Sequence, residues 1–64
     1  MELIINTFGT SLSRNNEGFV INSKDGSHRI PAEAVSSIQI SKGAQITSDA
    51  VMLAVEREIE VLFM

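Results

Sequence analysis

The 64-residue chain contains no cysteine, tryptophan or tyrosine, and it has one histidine and one proline. Without cysteine there is no disulfide, and a single histidine does not make a zinc site, so the usual supports of very small domains are missing. No run of about 18 apolar residues is present, which excludes a membrane-spanning helix. The first residues also lack the basic region, apolar stretch and cleavage site of a signal peptide, so we expect a cytoplasmic protein without membrane partners.

The composition that remains is that of one small folded domain. Hydrophobic residues make up 44% of the chain and charged residues 20%, which is too apolar for a disordered tail. A domain of this length buries only ~60% of the surface of its unfolded chain, so its stability is expected to be marginal. The net charge of -3 argues weakly against non-specific binding of nucleic acid by this segment alone.

Residues 1–31 are rich in strand and turn signals. The apolar segment from Leu3 to Phe8 predicts a first strand covered on both faces, and Gly9-Thr10 permits a tight reversal after it. A second turn is predicted over residues 15–18. The pair Asp25-Gly26 favours a type I′ hairpin, because both central residues of that turn need a positive φ.

Residues 35–64 have a different rhythm, which predicts a strand, a helix and a second strand. Side chains alternate over residues 37–41, a loop follows, and Thr47 or Ser48 can cap a helix that runs to about Arg57. About 17 residues separate the two strands, which fits a crossover connection between parallel strands. The fold class is therefore β-rich α+β: a small sheet of hairpins, then one βαβ crossover helix and a terminal strand.

The predicted helix has an apolar side and a polar side. The apolar side is made of Ala50, Val51, Ala54 and Val55, flanked by Leu53. Met52 falls with Asp49 and Glu56 on the polar side. It is either a scattered exposed methionine or a contact with another domain or subunit.

The chain ends inside an apolar strand. A natural terminus rarely leaves a phenylalanine and a methionine at a frayed end, so we expect residues 1–64 to be the first segment of a longer protein. Met52, Phe63 and Met64 are the predicted interface with a second subunit or domain.

Catalytic patterns are missing from the residue order. His28 lies beside Arg29 in a short strand, with no carboxylate or hydroxyl placed by spacing to act with it. No nucleophile elbow or phosphate-binding loop is present. Glu56, Glu58 and Glu60 straddle a helix end and a strand start, so their side chains should diverge. We therefore predict no catalytic and no metal-binding residue in this segment.

Basic residues offer one weaker hypothesis. Arg14 and Lys24 flank turns, from which they can reach a phosphate backbone, so they are predicted DNA contacts; ordinary surface charge is the alternative. No aromatic platform for bases is expected beside them. The three aromatic residues, Phe8, Phe19 and Phe63, are predicted at core-like positions.

Several segments taken together resemble a known family. They are Leu3 to Ser13, Ile30-Pro31, Val35, Ile38-Gln39-Ile40, Gln45 to Glu56 and Ile59 to Met64. Their order and spacing are similar to the N-terminal domain of the CRISPR adaptation integrase, the universal CRISPR-associated endonuclease that inserts spacers into the repeat array. The resemblance covers all 64 residues, and the opening segment resembles that family's first hairpin.

The resemblance implies a role in assembly. In that family the N-terminal β domain forms the homodimer interface, and the dimers assemble with the second, smaller CRISPR adaptation protein on a DNA duplex. The family's divalent-metal ligands, for Mg or Mn, are two acidic residues and a histidine in a later helical domain. That catalytic domain is absent from residues 1–64, none of its ligands maps onto a position here, and His28 is not the catalytic histidine.

Two functions follow as hypotheses. The first is a dimerisation and DNA-positioning domain of a CRISPR integrase, in which the metal-dependent attack of a spacer 3′-hydroxyl on repeat DNA takes place elsewhere in the protein. The second is a free-standing small interaction module with no integrase attached. The coding sequence downstream of residue 64 discriminates between them.

Overall fold

Seven strands and one helix make up residues 1–64 in the computed structural model. The strands are β1 (Glu2–Ile5), β2 (Ser11–Asn15), β3 (Gly18–Ser23), β4 (Gly26–Pro31), β5 (Ser37–Ile40), β6 (Gln45–Ile46) and β7 (Glu60–Phe63), and the helix is α1 (Ser48–Glu56). A short 3-10 turn, Ala32–Ala34, follows β4. The β-rich α+β fold class predicted from the sequence is confirmed. The helix has nine residues and is too short to cross a membrane.

The first sheet has three parallel strands in the order β1-β5-β7. The helix connects β5 to β7, so the predicted crossover between parallel strands is confirmed. Ile38 and Ile40 point to the core, as the alternation of β5 predicts. In β1, however, only Leu3 and Ile5 are buried and Ile4 is exposed, so the expected cover on both faces is wrong.

The second sheet has four strands in the order β4-β3-β2-β6. Its β2–β3 hairpin has a two-residue loop, Asn16-Glu17, where Asn16 takes a φ of 59°. The β3–β4 hairpin differs from the prediction by one residue. Ser23 pairs with Gly26, so the loop is Lys24-Asp25, and Gly26 alone has a positive φ.

The two sheets also change the interpretation of the first turn. Residues on either side of Gly9 were expected to form a hairpin, but β1 and β2 belong to different sheets. β6, which the sequence pattern did not indicate, pairs with β2 in parallel. The turn at Gly9 therefore carries the chain from one sheet to the other, because β1 finds its partner in β5 instead of β2.

A single apolar core lies between the sheets and the helix. Its members are Leu3, Ile5, Leu12, Phe19, Ala32, Val35, Ile38, Ile40, Ala50, Leu53, Ala54 and Ile59. Phe19 and Leu12 are completely buried, and burying a side chain of this size contributes about 1.5–3 kcal/mol. The core of twelve residues is thin but continuous.

Both ends of α1 are capped by local interactions. Thr47 is the N-cap and its hydroxyl accepts a hydrogen bond from the Ala50 N–H, as the sequence predicts. After the C-cap Arg57, Glu58 takes a left-handed φ of 57°. The Ile59 N–H donates to Ala54 O and the Glu58 N–H to Val55 O, which is a Schellman motif. The buried face is Ala50, Leu53 and Ala54, whereas Val55 is exposed, contrary to the predicted apolar side.

Candidate functional site

Eight large apolar side chains are exposed on the domain. They are Met1, Ile4, Phe8, Met52, Val55, Leu62, Phe63 and Met64. Three of the eight, Met52, Phe63 and Met64, are the predicted interface residues. Contiguous exposed apolar surface is typical of interaction sites, and the interface role of these three residues stays a prediction.

Phe63 and Met64 lie together at an open cavity of about 420 Å³. The cavity is at the end of the parallel sheet, and its lining is made of Ile40, Ser41, Lys42, Ala44, Gln45, Ile46, Phe63 and Met64. Met64 is tied to the sheet by its N–H, which donates to Ile40 O at 2.9 Å. Met52 is exposed on α1 and is not among the lining residues, so the structure brings together two of the three predicted residues.

Two exposed aromatic rings contradict the sequence interpretation. Phe8 is 87% exposed and Phe63 is 67% exposed, so only Phe19 occupies the core position expected of all three. Phe8 lies in the turn after β1, and its ring covers Gly43. Phe63 is the last residue of β7, beyond the reach of the core. Phe8 lies past the end of β1 and Phe63 at the last position of β7, and no layer of the fold covers either ring.

Arg14 is held inside a charge cluster on the face of β2 that carries Leu12. Its guanidinium lies 3.4 Å from Glu56 Oε1 and 3.6 Å from Glu17 Oε2, and its Nε donates to Asn16 O at 2.8 Å. The side chain is 22% exposed. A phosphate would therefore compete with two carboxylates for Arg14.

Arg57 completes this cluster. Its Nη2 donates to Glu17 Oε1 at 2.8 Å, which links the β2–β3 turn to the end of α1. The hydrogen bond from Arg57, with smaller contributions from the positive charges of Arg57 and Arg14, holds the pKa of Glu17 below its ordinary value of 4.5. The same bond raises the pKa of Arg57. The cluster is exposed, and it connects the β2–β3 turn to the end of α1, two elements that are distant in sequence.

Lys24 has a different environment. It lies in the two-residue loop between β3 and β4 and makes no ion pair. Arg14 pairs with Phe19 near the other end of β3, so the two predicted DNA contacts are roughly 16 Å apart along the strand at 3.3 Å per residue. They do not form one site, and Lys24 is the cation with the freer side chain.

The acidic and histidine side chains do not fit a divalent metal. No three of them come together in a geometry that could hold an ion. His28 lies on β4, which is an edge strand of the second sheet, and it pairs with Ile21 of β3. The residues of this segment therefore offer no ligand set for a divalent ion.

Sequence reasoning missed the partnership of Phe8 with Gly43. The Gly9 N–H donates to Gly43 O at 3.0 Å, which brings the turn after β1 against the loop after β5. A methyl group on Gly43 would overlap the Phe8 ring. The only signal in the sequence was Gly43 itself, because a glycine in a loop can mark a place where another group approaches the backbone closely.

The family model for CRISPR associated protein Cas1 matches residues 3–64. The chain belongs to this family. No individual curated protein gives a significant match to the sequence.

Solved structures share the fold of this Cas1-family chain. A crystal structure of a TtCas1-DNA complex has 22% identity and a TM-score of 0.87, and the match covers 100% of this chain and 22% of that chain. A Cas6-RT-Cas1--Cas2 complex has 17% identity and a TM-score of 0.90, with 100% and 7% covered. A CAS1 protein from Thermotoga maritima has 17% identity and a TM-score of 0.80, with 100% and 20% covered. The chain thus spans about a fifth or less of the proteins whose fold it shares.

Proposed function

We propose that residues 1–64 form the N-terminal dimerisation and DNA-positioning domain of a CRISPR integrase, which inserts spacers into the CRISPR array in antiviral defence. The family match over residues 3–64 carries the proposal. Fold likeness to a Cas1-DNA complex and to a complex that contains Cas1 and Cas2 supports it. The proposed partners are a second copy of the chain, the smaller adaptation protein and double-stranded DNA, and the proposed location is the cytoplasm.

The metal-dependent reaction belongs in this proposal to a helical domain beyond residues 1–64. A divalent ion, Mg or Mn, would there promote attack of a 3′-hydroxyl on a phosphodiester. Residues 1–64 would position the subunits and the DNA. Their exposed apolar side chains would contact a second subunit, and a basic loop residue would contact the DNA backbone.

Dimerisation is tested by light scattering of the chain over a range of concentrations. We expect a mass of about twice 7.0 kDa, with Met52→Asp and Phe63→Asp each raising the dimer dissociation constant by roughly tenfold or more, as buried apolar interface residues do. A clean monomer at high concentration would contradict the dimer role.

DNA contact by Lys24 and Arg14 is tested by the salt dependence of duplex binding, in the full protein that contains this domain. Each phosphate contact contributes a slope of about 0.9 in log affinity against log salt concentration. We expect Lys24→Ala to lower the slope by about that amount. Arg14→Ala is expected to do so only if Arg14 exchanges its carboxylate partners for a phosphate. An unchanged slope and affinity in both variants would remove DNA contact from the proposal.

A further inference from the structure

Glu17 lies between two arginines of the charge cluster and directs one carboxylate oxygen to each. Its Oε1 accepts a hydrogen bond from Arg57 Nη2 at 2.8 Å, and its Oε2 lies 3.6 Å from Arg14 Nη2. The two arginines belong to elements that are distant in sequence, β2 and the end of α1. Their guanidinium groups therefore converge on one point, and in this structure a carboxylate occupies it.

Arg14 is also held in place independently of Glu17. Its Nε donates to Asn16 O at 2.8 Å, and its Nη1 and Nη2 lie 3.5 Å and 3.4 Å from the two carboxylate oxygens of Glu56. Without the Glu17 carboxylate, two guanidinium charges face one carboxylate, and one positive charge is left uncompensated. An anion that replaces Glu17 therefore meets an arginine that is already oriented.

Glu17 is weakly held at this point. Its side chain is 64% exposed, and it belongs to the two-residue loop of the β2–β3 hairpin. Exposed ion pairs contribute little to stability, because water solvates both charges well when they separate. Rotation of the Glu17 side chain therefore opens the site without the movement of a strand.

The chemistry of the exchange selects the anion. A carboxylate from another molecule brings the same two oxygens and single charge as Glu17, and it must also be immobilised from solution, so it gains nothing. A phosphodiester of the DNA backbone likewise has one charge and two free oxygens. A terminal phosphate has three free oxygens and a charge of about −1.5 to −2 at pH 7, so it bonds to two arginines more strongly than a carboxylate does.

We propose that Arg14 and Arg57 form a binding site for a terminal phosphate group, and that Glu17 occupies this site until the phosphate displaces it. The phosphate is either inorganic phosphate or the 5′-phosphate at the end of a DNA strand. Only the second source rests on the proposed function, because the site itself requires no DNA-positioning role.

A titration with inorganic phosphate at constant ionic strength, followed by NMR of the arginine Nε–H groups, tests the site. The chain has three arginines, and the third, Arg29, has no carboxylate partner, so it reports non-specific binding in the same spectrum. We expect phosphate to shift the Arg14 and Arg57 signals with one common dissociation constant and to leave the Arg29 signal unchanged. An equal response of all three arginines overturns the proposal, and this measurement needs no substitution.

Glu17→Gln removes the competing carboxylate, and Glu33→Gln is its matched control. The bond from Glu17 raises the pKa of Arg57, and the charge of Glu33 adds to this effect although Glu33 makes no ion pair. With both variants folded by circular dichroism, we expect Glu17→Gln to bind phosphate roughly twofold to fivefold more tightly, the range for the loss of one exposed ion pair. Equal gains in both variants would assign the effect to long-range charge and overturn the exchange.

DNA duplexes with and without a 5′-phosphate distinguish the two sources, in the full protein that contains this domain. Tighter binding of the phosphorylated duplex, with the difference lost in Arg57→Gln, assigns the site to a DNA end. Equal binding of the two duplexes, with phosphate still bound by the chain, assigns it to inorganic phosphate.

The failure of this inference is distinguishable from the failure of the proposed function. If the arginine signals do not respond to phosphate but Lys24→Ala still lowers the salt slope of duplex binding, the phosphate site is overturned and the proposed function stands. If the Arg14 and Arg57 signals respond and no duplex binds, the site stands and the DNA role is overturned.

Discussion

At position 43 the absence of a side chain decides how two loops meet. Gly43 has a φ of 92°, a conformation that favours glycine, and the Phe8 ring occupies the space of a side chain. Gly9 shares the positive φ, at 84°, but has open space around it. Alanine at either position would meet backbone strain, but only alanine at position 43 would also overlap another side chain, so comparing the two substitutions distinguishes the two effects.

We expect Gly43→Ala to destabilise the chain more than Gly9→Ala. Each substitution lowers the free energy of unfolding by about 1–2 kcal/mol through left-handed backbone strain. Gly43→Ala must also displace the Phe8 ring, which costs about 1 kcal/mol more. Urea denaturation measures both free energies of unfolding. In a Phe8→Ala background the excess at Gly43 should vanish, and an excess that persists would show that the ring is not its cause.

A second residue-scale lesson concerns Arg14. Its position beside a turn suggests a free cation, but Glu56 approaches it from 42 positions along the chain. The residues near Arg14 in sequence include Glu17, but they do not predict the contact with Glu56. DNA contact by this residue stays a prediction, and it now requires an exchange of partners.

At the scale of the element, α1 ends on a residue that is poorly suited to its conformation. Glu58 occupies the left-handed C′ position that glycine commonly fills. The Schellman bonds to Ala54 O and Val55 O and the burial of Ile59 keep the helix end in place. The crossover to β7 depends on this reversal, because Ile59 enters the core directly after it.

Glu58→Gly is expected to raise the free energy of unfolding by about 0.5–1 kcal/mol. It relieves about 1–2 kcal/mol of left-handed strain and loses about 0.5–1 kcal/mol to the greater freedom of glycine in the unfolded chain. Thermal or urea unfolding measures the difference. Glu58→Ala, which removes the carboxylate but keeps the strain, should gain only ~0.3 kcal/mol from the lost charge at the helix end. Equal gains in both variants would assign the effect to charge.

At the scale of the whole molecule, the charge cluster joins the second sheet to the helix. Glu17 accepts from Arg57 and lies near Arg14, and Arg14 reaches Glu56. The folded-state pKa of Glu17 is below 4.5, so its contribution to stability is fully present above pH 4.5. This contribution is lost as the pH falls through the lower, folded-state pKa.

We therefore expect Glu17→Gln to be less stable than the unsubstituted chain at pH 7, with the difference shrinking as the pH falls below 4.5. The pair is exposed, so added salt should also reduce the difference. Urea midpoints at several pH values measure it. Glu2→Gln removes the same charge from a residue without an ion pair and is the control. A difference from the unsubstituted chain that is constant with pH would exclude the linkage.

Patterns within a few residues determined much of this protein. The alternation of β5, the Thr47 cap, the reversal at residues 16–17 and the parallel crossover around α1 all follow from local spacing. The first three depend on contacts between residues that are near in sequence, and the crossover follows from the length of its connection, so the printed order contains them. The Cas1-family resemblance was likewise present in the order of short motifs.

Tertiary structure decided which strands share a sheet and which side chains the core leaves uncovered. β1 pairs with β5 and not with β2, Phe8 and Phe63 are exposed near the ends of parallel strands, and Val55 faces solvent. Each outcome depends on contacts between segments that are distant along the chain. Local pattern does not encode these contacts, because an apolar residue is buried only where the other layers of the fold reach it.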